Sequence, residues 1–329
     1  MATPHRGPET GERSWAGQQV DVVCLGILVA DVIARPIDDL PQRGTVALVK
    51  EISLRAGGCA VNTASALAKL GARAAVAGKV GADPFGNFLL GVLDARGVER
   101  RGVLRDPAVP TSATVALVGS DGERTFLHLP GANGELRRRE LDPAVVFGGR
   151  ILHLAGALVM PALDGEPAAA VLADARSRGL LTSLDTVFDA TGRWDLVLPC
   201  LPHADLFAPS LAEGRAISGE AEPAAVAAWL RERGAGEVAL KMGADGCYAS
   251  GKGFEGQVEA LPVEAVDGTG AGDAFVAGLL YGKLAGWDFE RSVRLANAAG
   301  ALATTAVGAA EGVRNLEETL AFAALEARA

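Results

Sequence analysis

The chain has 329 residues, 49% of them apolar, and a formal net charge of −9 at neutral pH. A chain of this size can bury about three-quarters of its unfolded surface. The acidic balance indicates that nucleic acid is not a partner, because a phosphate backbone attracts basic surfaces.

Targeting and membrane signals are also missing from the sequence. Residues 1–19 are polar and contain no apolar run of the kind found in signal peptides. No segment approaches the ~18 consecutive apolar residues that a membrane helix needs. The cysteines, Cys24, Cys59, Cys200 and Cys247, form no Cys-x-x-Cys pair. We therefore expect a reduced, soluble, cytoplasmic protein without a membrane partner.

The first half of the chain predicts strands alternating with helices. Residues 1–18 are rich in Pro, Gly and charge and are expected to form a disordered tail, with one domain over 19–329. A β-branched run at 21–25 predicts a buried strand. A helix is predicted from Cys59 to Leu70, and a second one begins at Asp83-Pro84, an N-cap followed by proline.

The alternation continues to residue 240. Strands alternating with helices of ten or more residues predict an α/β fold, with a doubly wound, mainly parallel sheet flanked by helices. Ligands of such sheets gather at the carboxyl ends of the strands. The further predicted strands lie at 74–76, 151–154, 180–184, 206–207 and 238–240, and the further helices at 167–177 and 223–233.

Two segments interrupt this pattern. Residues 33–54 and 111–129 each contain two β-like runs, and Ser120-Asp-Gly-Glu123 is a hairpin turn signal. Alternating residues such as Thr114 and Ala116 would bury one face only. We predict a small antiparallel β lid, built from about 32–56 and 109–130, that stands off the main sheet.

Two glycine-rich patterns near residue 250 resemble phosphate loops but lack the required context. Gly246–Gly253 has the spacing of a P-loop, yet glycine stands where Ser or Thr should bind magnesium, and no helix follows. Gly251–Gly256 matches the dinucleotide pattern but leads into a predicted strand. A turn between two strands explains both, and we reject a dehydrogenase.

The segment from Val266 to Phe275 carries the strongest chemical signal. Its three glycines within five positions are unfavourable inside a helix or strand, and residues 274–284 predict a helix. The loop would therefore present backbone amides at a helix N-terminus, which is an anion site. Asp273 could simply cap the helix. It could also take a proton from a hydroxyl while the amides hold a phosphoryl group, as phosphoryl transfer requires.

Two segments closely resemble the signatures of ribokinase-like (PfkB-type) carbohydrate kinases. They are Asp267-Gly-Thr-Gly-Ala-Gly-Asp273 and Gly57-Gly-Cys-Ala-Val-Asn-Thr-Ala64, and the resemblance spans about residues 20–315. It implies a ribokinase-like fold and ATP-dependent phosphorylation of a sugar or sugar acid, with Mg²⁺ as cofactor. Gly268 departs from the family, which more often has Thr or Ser there.

The resemblance implies a role for each matching position. Asp273 would be the general base, beside an anion hole formed by Gly270, Ala271 and Gly272. Sugar hydroxyls would be held by Asp31, Gly57, Gly58 and Asn62. Asn297 and Gly300 resemble the stretch near the adenine, although ordinary helix packing would also explain them. The implied nucleotide-binding residues are Lys241, Gly243, Gly246, Thr269, Asn297 and Gly300.

Two metal sites are implied in the same way. Glu213 matches the glutamate of the family's Asn-x-x-Glu motif and would act on Mg²⁺ through water, whereas Ser210 replaces the asparagine. Asp267 and Thr269, with the backbone around Ala306 and Gly308, resemble a monovalent-cation site of some members. That likeness implies K⁺ as a further cofactor.

Other functions and an assembly follow from the same resemblance. A nucleoside kinase would carry the same two signatures, and a non-catalytic ligand sensor could use the same fold. The presence of Asp273 with the full glycine loop favours an enzyme. Lids of relatives often pair between subunits, which implies a homodimer through the β lid. Cys59 could be a ligand-facing thiol or a small packed residue, and we favour packing.

Overall fold

The structure is a computed structural model that describes residues 20–188 and 191–325. The predicted tail over 1–18 lies outside the described residues. The strands are β1 Val22–Gly26, β2 Val29–Arg35, β3 Glu51–Gly57, β4 Ala74–Gly81, β5 Glu99–Asp106, β6 Ala113–Val118, β7 Arg124–Leu129, β8 Ile151–Ala157, β9 Leu181–Thr186, β10 Leu206–Phe207, β11 Glu237–Lys241, β12 Cys247–Gly251 and β13 Phe254–Val258.

Each helix that the sequence predicts is present, within a few residues of its expected bounds, and further helices occur. Short 3₁₀ helices also occur, at Arg138–Glu140, Trp194–His203 and Gly243–Asp245. The α-helices are α1 Cys59–Lys69, α2 Pro84–Ala95, α3 Gly131–Gly134, α4 Pro143–Val146, α5 Glu166–Ser177, α6 Leu211–Ser218, α7 Pro223–Glu232, α8 Ala271–Leu284, α9 Phe289–Ala303 and α10 Leu316–Phe322.

The large sheet confirms the predicted α/β fold. Its strand order is β13-β12-β11-β10-β9-β8-β1-β4-β5, and β12 runs antiparallel to its neighbours while the pairs from β11 to β5 are parallel. Helices α1, α8 and α9 pack on one face and α5 and α7 on the other, each over its own apolar core. Strands β1, β4 and β8 are buried throughout because both faces are covered.

The chain order reverses between β1 and β8, which makes this the switch point of the sheet. From β1 the chain proceeds outward through β4 and β5, and then it returns to β8 on the other side of β1. Parallel sheets leave a crevice outside the carboxyl ends of the strands at such a point. The fold therefore places a ligand site beside the residues that follow β1 and β8.

The lid is a four-stranded sheet with the order β3-β2-β6-β7. The outer pairs, β2 with β3 and β6 with β7, are antiparallel as predicted. The two inner strands, β2 and β6, run parallel. They do so because each continues from a strand of the large sheet, β1 or β5, and these two strands point the same way.

The two faces of the lid differ in character. Cross-strand pairing aligns Arg55, Asp31, Thr114 and His128 in one polar row on a single face. The opposite face, which we call the outer face, carries exposed apolar side chains. They include Ile52, Leu54, Leu127 and Leu129. In the part of the chain that the structure describes, no helix is long and apolar enough to cross a bilayer.

Candidate active site

Asp273 lies where the first turns of α1 and α8 meet. The residue is 9% exposed, and its Oδ2 accepts a hydrogen bond of 2.8 Å from Asn62 Nδ2. The Cys59 side chain also acts on this carboxyl and lowers its pKa. Burial raises the pKa of Asp273 above its ordinary value, against the lowering effect of Asn62. The two predicted signature segments thus meet at one carboxyl group.

Two glycines allow these helix starts to approach their neighbours. Gly58, the N-cap of α1, has φ +92°, and a Cβ there would collide with the carbonyl of Ile27, just after β1. Gly270, the N-cap of α8, has φ +74°, and a Cβ there would collide with Ala309. Both positions require glycine because the backbone is left-handed and the neighbouring backbone is fixed.

The backbone amides of the predicted anion hole are not equivalent. The Ala271 amide donates to the Gly268 carbonyl over 3.3 Å. Within residues 20–188 and 191–325, the Gly272 amide meets no hydrogen-bond acceptor. An unpaired amide at a helix N-terminus favours an anion. The first turn of α8 therefore leaves a donor for an anion beside Asp273.

A buried ion pair lies against the same loop. Lys241, at the end of β11, donates to both carboxyl oxygens of Asp185 at 2.8 and 2.9 Å. Burial and the nearby Glu213 and Asp273 carboxylates raise the pKa of Asp185, although Lys241 opposes them. Burial lowers the pKa of Lys241, but the three carboxylates raise it overall and keep the ammonium charged. A Cβ on Gly272 would lie 3.3 Å from Lys241 Nζ.

Glu213 is buried in the first turn of α6. Ser210, the N-cap, accepts from the Glu213 amide, and Glu213 Oε2 accepts from the Ser210 amide at 2.7 Å. The Thr186 hydroxyl, at the end of β9, donates to the same carboxylate oxygen at 3.1 Å. Ser210 thus caps α6 at the position where the family has asparagine, and Glu213 faces the ends of β9 and β11.

The predicted acceptor residues come together at the base of the lid. Burial raises the pKa of Asp31 to about 6, although the neighbouring Thr114 side chain lowers it. Thr114 Oγ1 in turn lies 3.0 Å from His128 Nδ1. A Cβ on Gly57 would collide with the Asp31 carboxyl, so glycine is needed beside it. The Asp31 carboxyl, on the polar face of the lid, therefore lies against Gly57.

The residues predicted to bind nucleotide lie mainly in turns and helix contacts. Gly243 and Gly246 bound the 3₁₀ turn after β11, both with positive φ. Asn297 Nδ2 donates to the carbonyls of Val258 and Glu259 at 3.2 and 2.7 Å. On α9, Gly300 leaves room for α8, because its Cβ would lie 3.2 Å from the Ala271 carbonyl. Asn297 and Gly300 thus have packing roles, and their contact with a nucleotide stays a prediction.

The predicted monovalent-cation residues already have several partners. Asp267 Oδ1 accepts from the amide and hydroxyl of Thr269 at 2.9 and 2.6 Å, and its Oδ2 accepts from the Gly308 amide at 3.0 Å. Arg124, on lid strand β7, donates from Nη1 to Thr269 Oγ1 at 2.9 Å and lies 3.7 Å from Asp267 Oδ1. A guanidinium therefore lies against this loop.

Comparison with known proteins identifies the family of the chain. A family model described as "pfkB family carbohydrate kinase" matches residues 19–316 of the chain. The chain belongs to this family.

This pfkB-family kinase is similar to other kinases in sequence and in fold. It is 30% identical over 317 residues to a Bacillus subtilis 2-dehydro-3-deoxygluconokinase, covering 92% of this chain and 95% of the relative. It is 35% identical to a Klebsiella pneumoniae fructokinase, covering 77% and 87%. A putative ribokinase II from E. coli superposes with a TM-score of 0.80 at 25% identity, covering 92% and 98%. The Arabidopsis thaliana ribokinase gives 0.82 at 24% identity, covering 94% and 100%.

The chain is therefore an ATP-dependent carbohydrate kinase with a ribokinase-like fold.

Some side chains of the candidate site were not predicted from the sequence. Asp185 and Thr186 end β9, and a carboxylate at the carboxyl end of a buried strand was a usable signal. Cys59, interpreted as packed, also contacts Asp273. Arg124 carried no signal, because nothing in the sequence shows that it reaches Thr269.

Proposed function

We propose that this kinase transfers the γ-phosphate of ATP to a hydroxyl of a small sugar or sugar acid, with Asp273 as general base. The observation that carries the proposal is the Asp273 carboxyl, held by Asn62 beside the first turn of α8. Its raised pKa strengthens it as a proton acceptor. The backbone of Gly270, Ala271 and Gly272 would stabilise the migrating phosphoryl group.

The acceptor would lie between Asp273 and the polar face of the lid. Asn62 Oδ1 is buried, and no described residue donates a hydrogen bond to it. A sugar hydroxyl can satisfy that oxygen, and a second hydroxyl can donate to Asp31. Gly57 lets the Asp31 carboxyl lie directly against the backbone, where a Cβ would not fit. Fructokinases and 2-dehydro-3-deoxygluconokinase among the relatives support a ketose or a keto sugar acid as acceptor.

ATP would bind on the other side of the α8 start. We assign its phosphates to the glycine loop, Thr269 and Lys241, and its remaining contacts to Gly243, Gly246, Asn297 and Gly300. The E. coli putative ribokinase II has been solved in complex with ATP and Mg²⁺, which supports this cofactor pair.

Magnesium fits the site as an ion held mainly by phosphates and water. Among the described residues, no group of three or more His, Cys, Asp or Glu side chains is placed to hold a metal directly. Glu213 keeps its Oε2 engaged by Ser210 and Thr186, so we assign it to Mg²⁺ through water. Bound Mg²⁺ would offset the charge of the triphosphate. The resemblance also implies K⁺ at Asp267 and Thr269, where Arg124 already lies.

An acceptor panel tests the proposal. We expect ADP formation with ATP and Mg²⁺ in the presence of a ketose or a sugar acid, well above that with any nucleoside. Preferred turnover of a nucleoside would instead assign a nucleoside kinase of the same fold. Saturable sugar binding without ADP formation from any acceptor would point to a ligand sensor and refute the proposed transfer. Coupled detection of ADP and calorimetric titration of each acceptor distinguish these outcomes.

We propose further that two copies of the chain pair through the outer face of the lid. Ile52 is 70% exposed and Leu127 63% exposed, and both lie on this face with Leu54 and Leu129. Clustered exposed apolar side chains on a thin sheet favour a partner surface. A second copy supplies the same face, as a two-fold interface requires.

Leu127→Arg is expected to convert the dimer to a monomer at micromolar concentration. An isologous interface would contain the new charge twice, so dissociation should become easier by at least about 100-fold. Sedimentation velocity measures the change. Leu198→Arg is the matched control, because Leu198 is an exposed leucine outside the lid. A monomeric wild type, or a Leu127→Arg variant that stays dimeric, would contradict the proposed interface.

A further inference from the structure

The loop formed by Asp267, Thr269 and Gly308 is closed by its own hydrogen bonds. Both carboxylate oxygens of Asp267 accept from this loop, Oδ1 twice from Thr269 and Oδ2 once from the Gly308 amide. Burial raises the pKa of Asp267, but the hydrogen bonds from Thr269 and Gly308 outweigh it and hold the pKa below its ordinary value. The carboxyl group is therefore ionised. A fixed negative charge thus lies three residues before the start of the proposed anion hole.

A positive charge next to Asp267 would favour the binding of a nearby triphosphate. An uncompensated carboxylate at this place would repel the phosphates, and the effect would be strong because the Asp267 side chain is only 19% exposed. A bound monovalent cation can supply the charge. In the site that the resemblance implies, its ligands would be oxygens of Asp267 and Thr269 together with the backbone around Ala306 and Gly308.

These oxygens are instead turned toward an arginine. Arg124 Nη1 donates to Thr269 Oγ1 and lies near Asp267 Oδ1, while the Thr269 hydroxyl donates to Asp267. Arg55, also from the lid, places Nη1 3.7 Å from the position of a Cβ on Gly308. Two guanidinium groups of the lid therefore flank the loop. The arrangement does not fit a potassium ion, because the side-chain oxygens of Asp267 and Thr269 are hydrogen-bonded and the adjacent space is already cationic.

We propose that Arg124 takes the place of the monovalent cation, so that this kinase works without potassium. The inference rests on the proposed function, because it assigns a charge that matters for ATP. Arg124 is a positioning residue: it neutralises Asp267 and fixes Thr269. Arg124 lies on β7, which also carries His128 of the polar row. It therefore couples the lid to the glycine loop.

Removing the guanidinium should create a need for potassium. Wild-type turnover should be equal within about twofold in KCl and in choline chloride of the same ionic strength. Arg124→Gln should lose about 10- to 100-fold in choline chloride, the effect of losing one positioned charge, and recover much of it in KCl or guanidinium chloride at millimolar concentration. KM for ATP should rise more than KM for the acceptor, which a merely structural lesion would not produce.

Thermal unfolding gives a readout that does not depend on activity. The melting temperature of the wild type should be the same in KCl and choline chloride, whereas Arg124→Gln should be stabilised by KCl alone. Arg124→Lys should stay independent of potassium because it keeps the charge. Arg43→Gln is the control, since Arg43 is an exposed arginine between β2 and β3.

The outcomes separate this inference from the proposed function. Activation of the wild type by potassium, or an Arg124→Gln variant that potassium neither stabilises nor reactivates, would overturn the role of Arg124. A wild type that phosphorylates no acceptor would count against the proposed function. In that case the unfolding measurements still decide whether Arg124 occupies the cation's place.

Discussion

Asp273→Asn is expected to lower kcat by at least about 100-fold while ATP affinity stays nearly unchanged. The amide has the shape of the carboxyl and can still meet Asn62 after rotation, but it cannot take the proton of the acceptor hydroxyl. Steady-state turnover with the best acceptor and calorimetric titration of ATP would measure both effects. Asp288→Asn is the matched control, because Asp288 caps the neighbouring helix α9 and asparagine caps equally well.

The pH dependence of kcat/KM is an independent test of the role of Asp273. Burial raises the pKa of Asp273, and only the ionised carboxylate can accept a proton. The kcat/KM of the wild type should therefore fall as pH is lowered through this raised pKa and level off above it. The acidic limb should disappear in Asp273→Asn. If Asp273→Asn were as fast as the wild type, Asp273 would not be the general base.

The layout of the large sheet could be predicted because its signals are local. Asp83 followed by Pro84 predicts the start of α2, and the structure shows Asp83 accepting from the Gly86 amide. Fully apolar strands such as β1 indicate a sheet covered on both faces. The glycines before α1 and α8 have the same local character, because Gly58 and Gly270 need left-handed backbone. For this reason the site around Asp273 was also accessible from the sequence.

The missed contacts depend on distances that no local pattern encodes. Lys241 meets Asp185 across 56 residues because β10 alone separates β9 from β11. Arg124 meets Thr269 across 145 residues because the lid lies over the glycine loop. The parallel pairing of β2 with β6 likewise follows from how two strands leave the large sheet, which their own sequences do not specify. Such features require the assembled fold.

The buried pair of Lys241 and Asp185 should dominate the stability of the site. Lys241→Met is expected to lower the free energy of unfolding by about 3–5 kcal/mol, because it leaves a buried carboxylate without its partner. Asp185 is 2% exposed and already lies near the carboxylates of Glu213 and Asp273. Urea unfolding at several pH values would measure the loss. Lys252→Met is the control, since Lys252 lies in the exposed turn between β12 and β13.

The loss should depend on pH in a defined direction. Without the ammonium, the pKa of Asp185 in the folded protein rises further above its value in the unfolded chain. The folded state then holds a proton that the unfolded state releases, so stability falls as pH rises between these two pKa values. Lys241→Met should accordingly be closer to the wild type at pH 5 than at pH 8.

A second substitution separates the charge from the packing. Lys241→Met combined with Asp185→Leu replaces both partners by apolar groups of similar size, and it should recover most of the stability lost by Lys241→Met alone. Activity should stay low in the double variant if the Lys241 ammonium also attracts the phosphates, because the stabilised fold still lacks that positive charge. Recovery of both stability and turnover would show that the pair only supports the fold. Failure of Asp185→Leu to restore stability would show that the cost of Lys241→Met lies in packing, not in the stranded carboxylate.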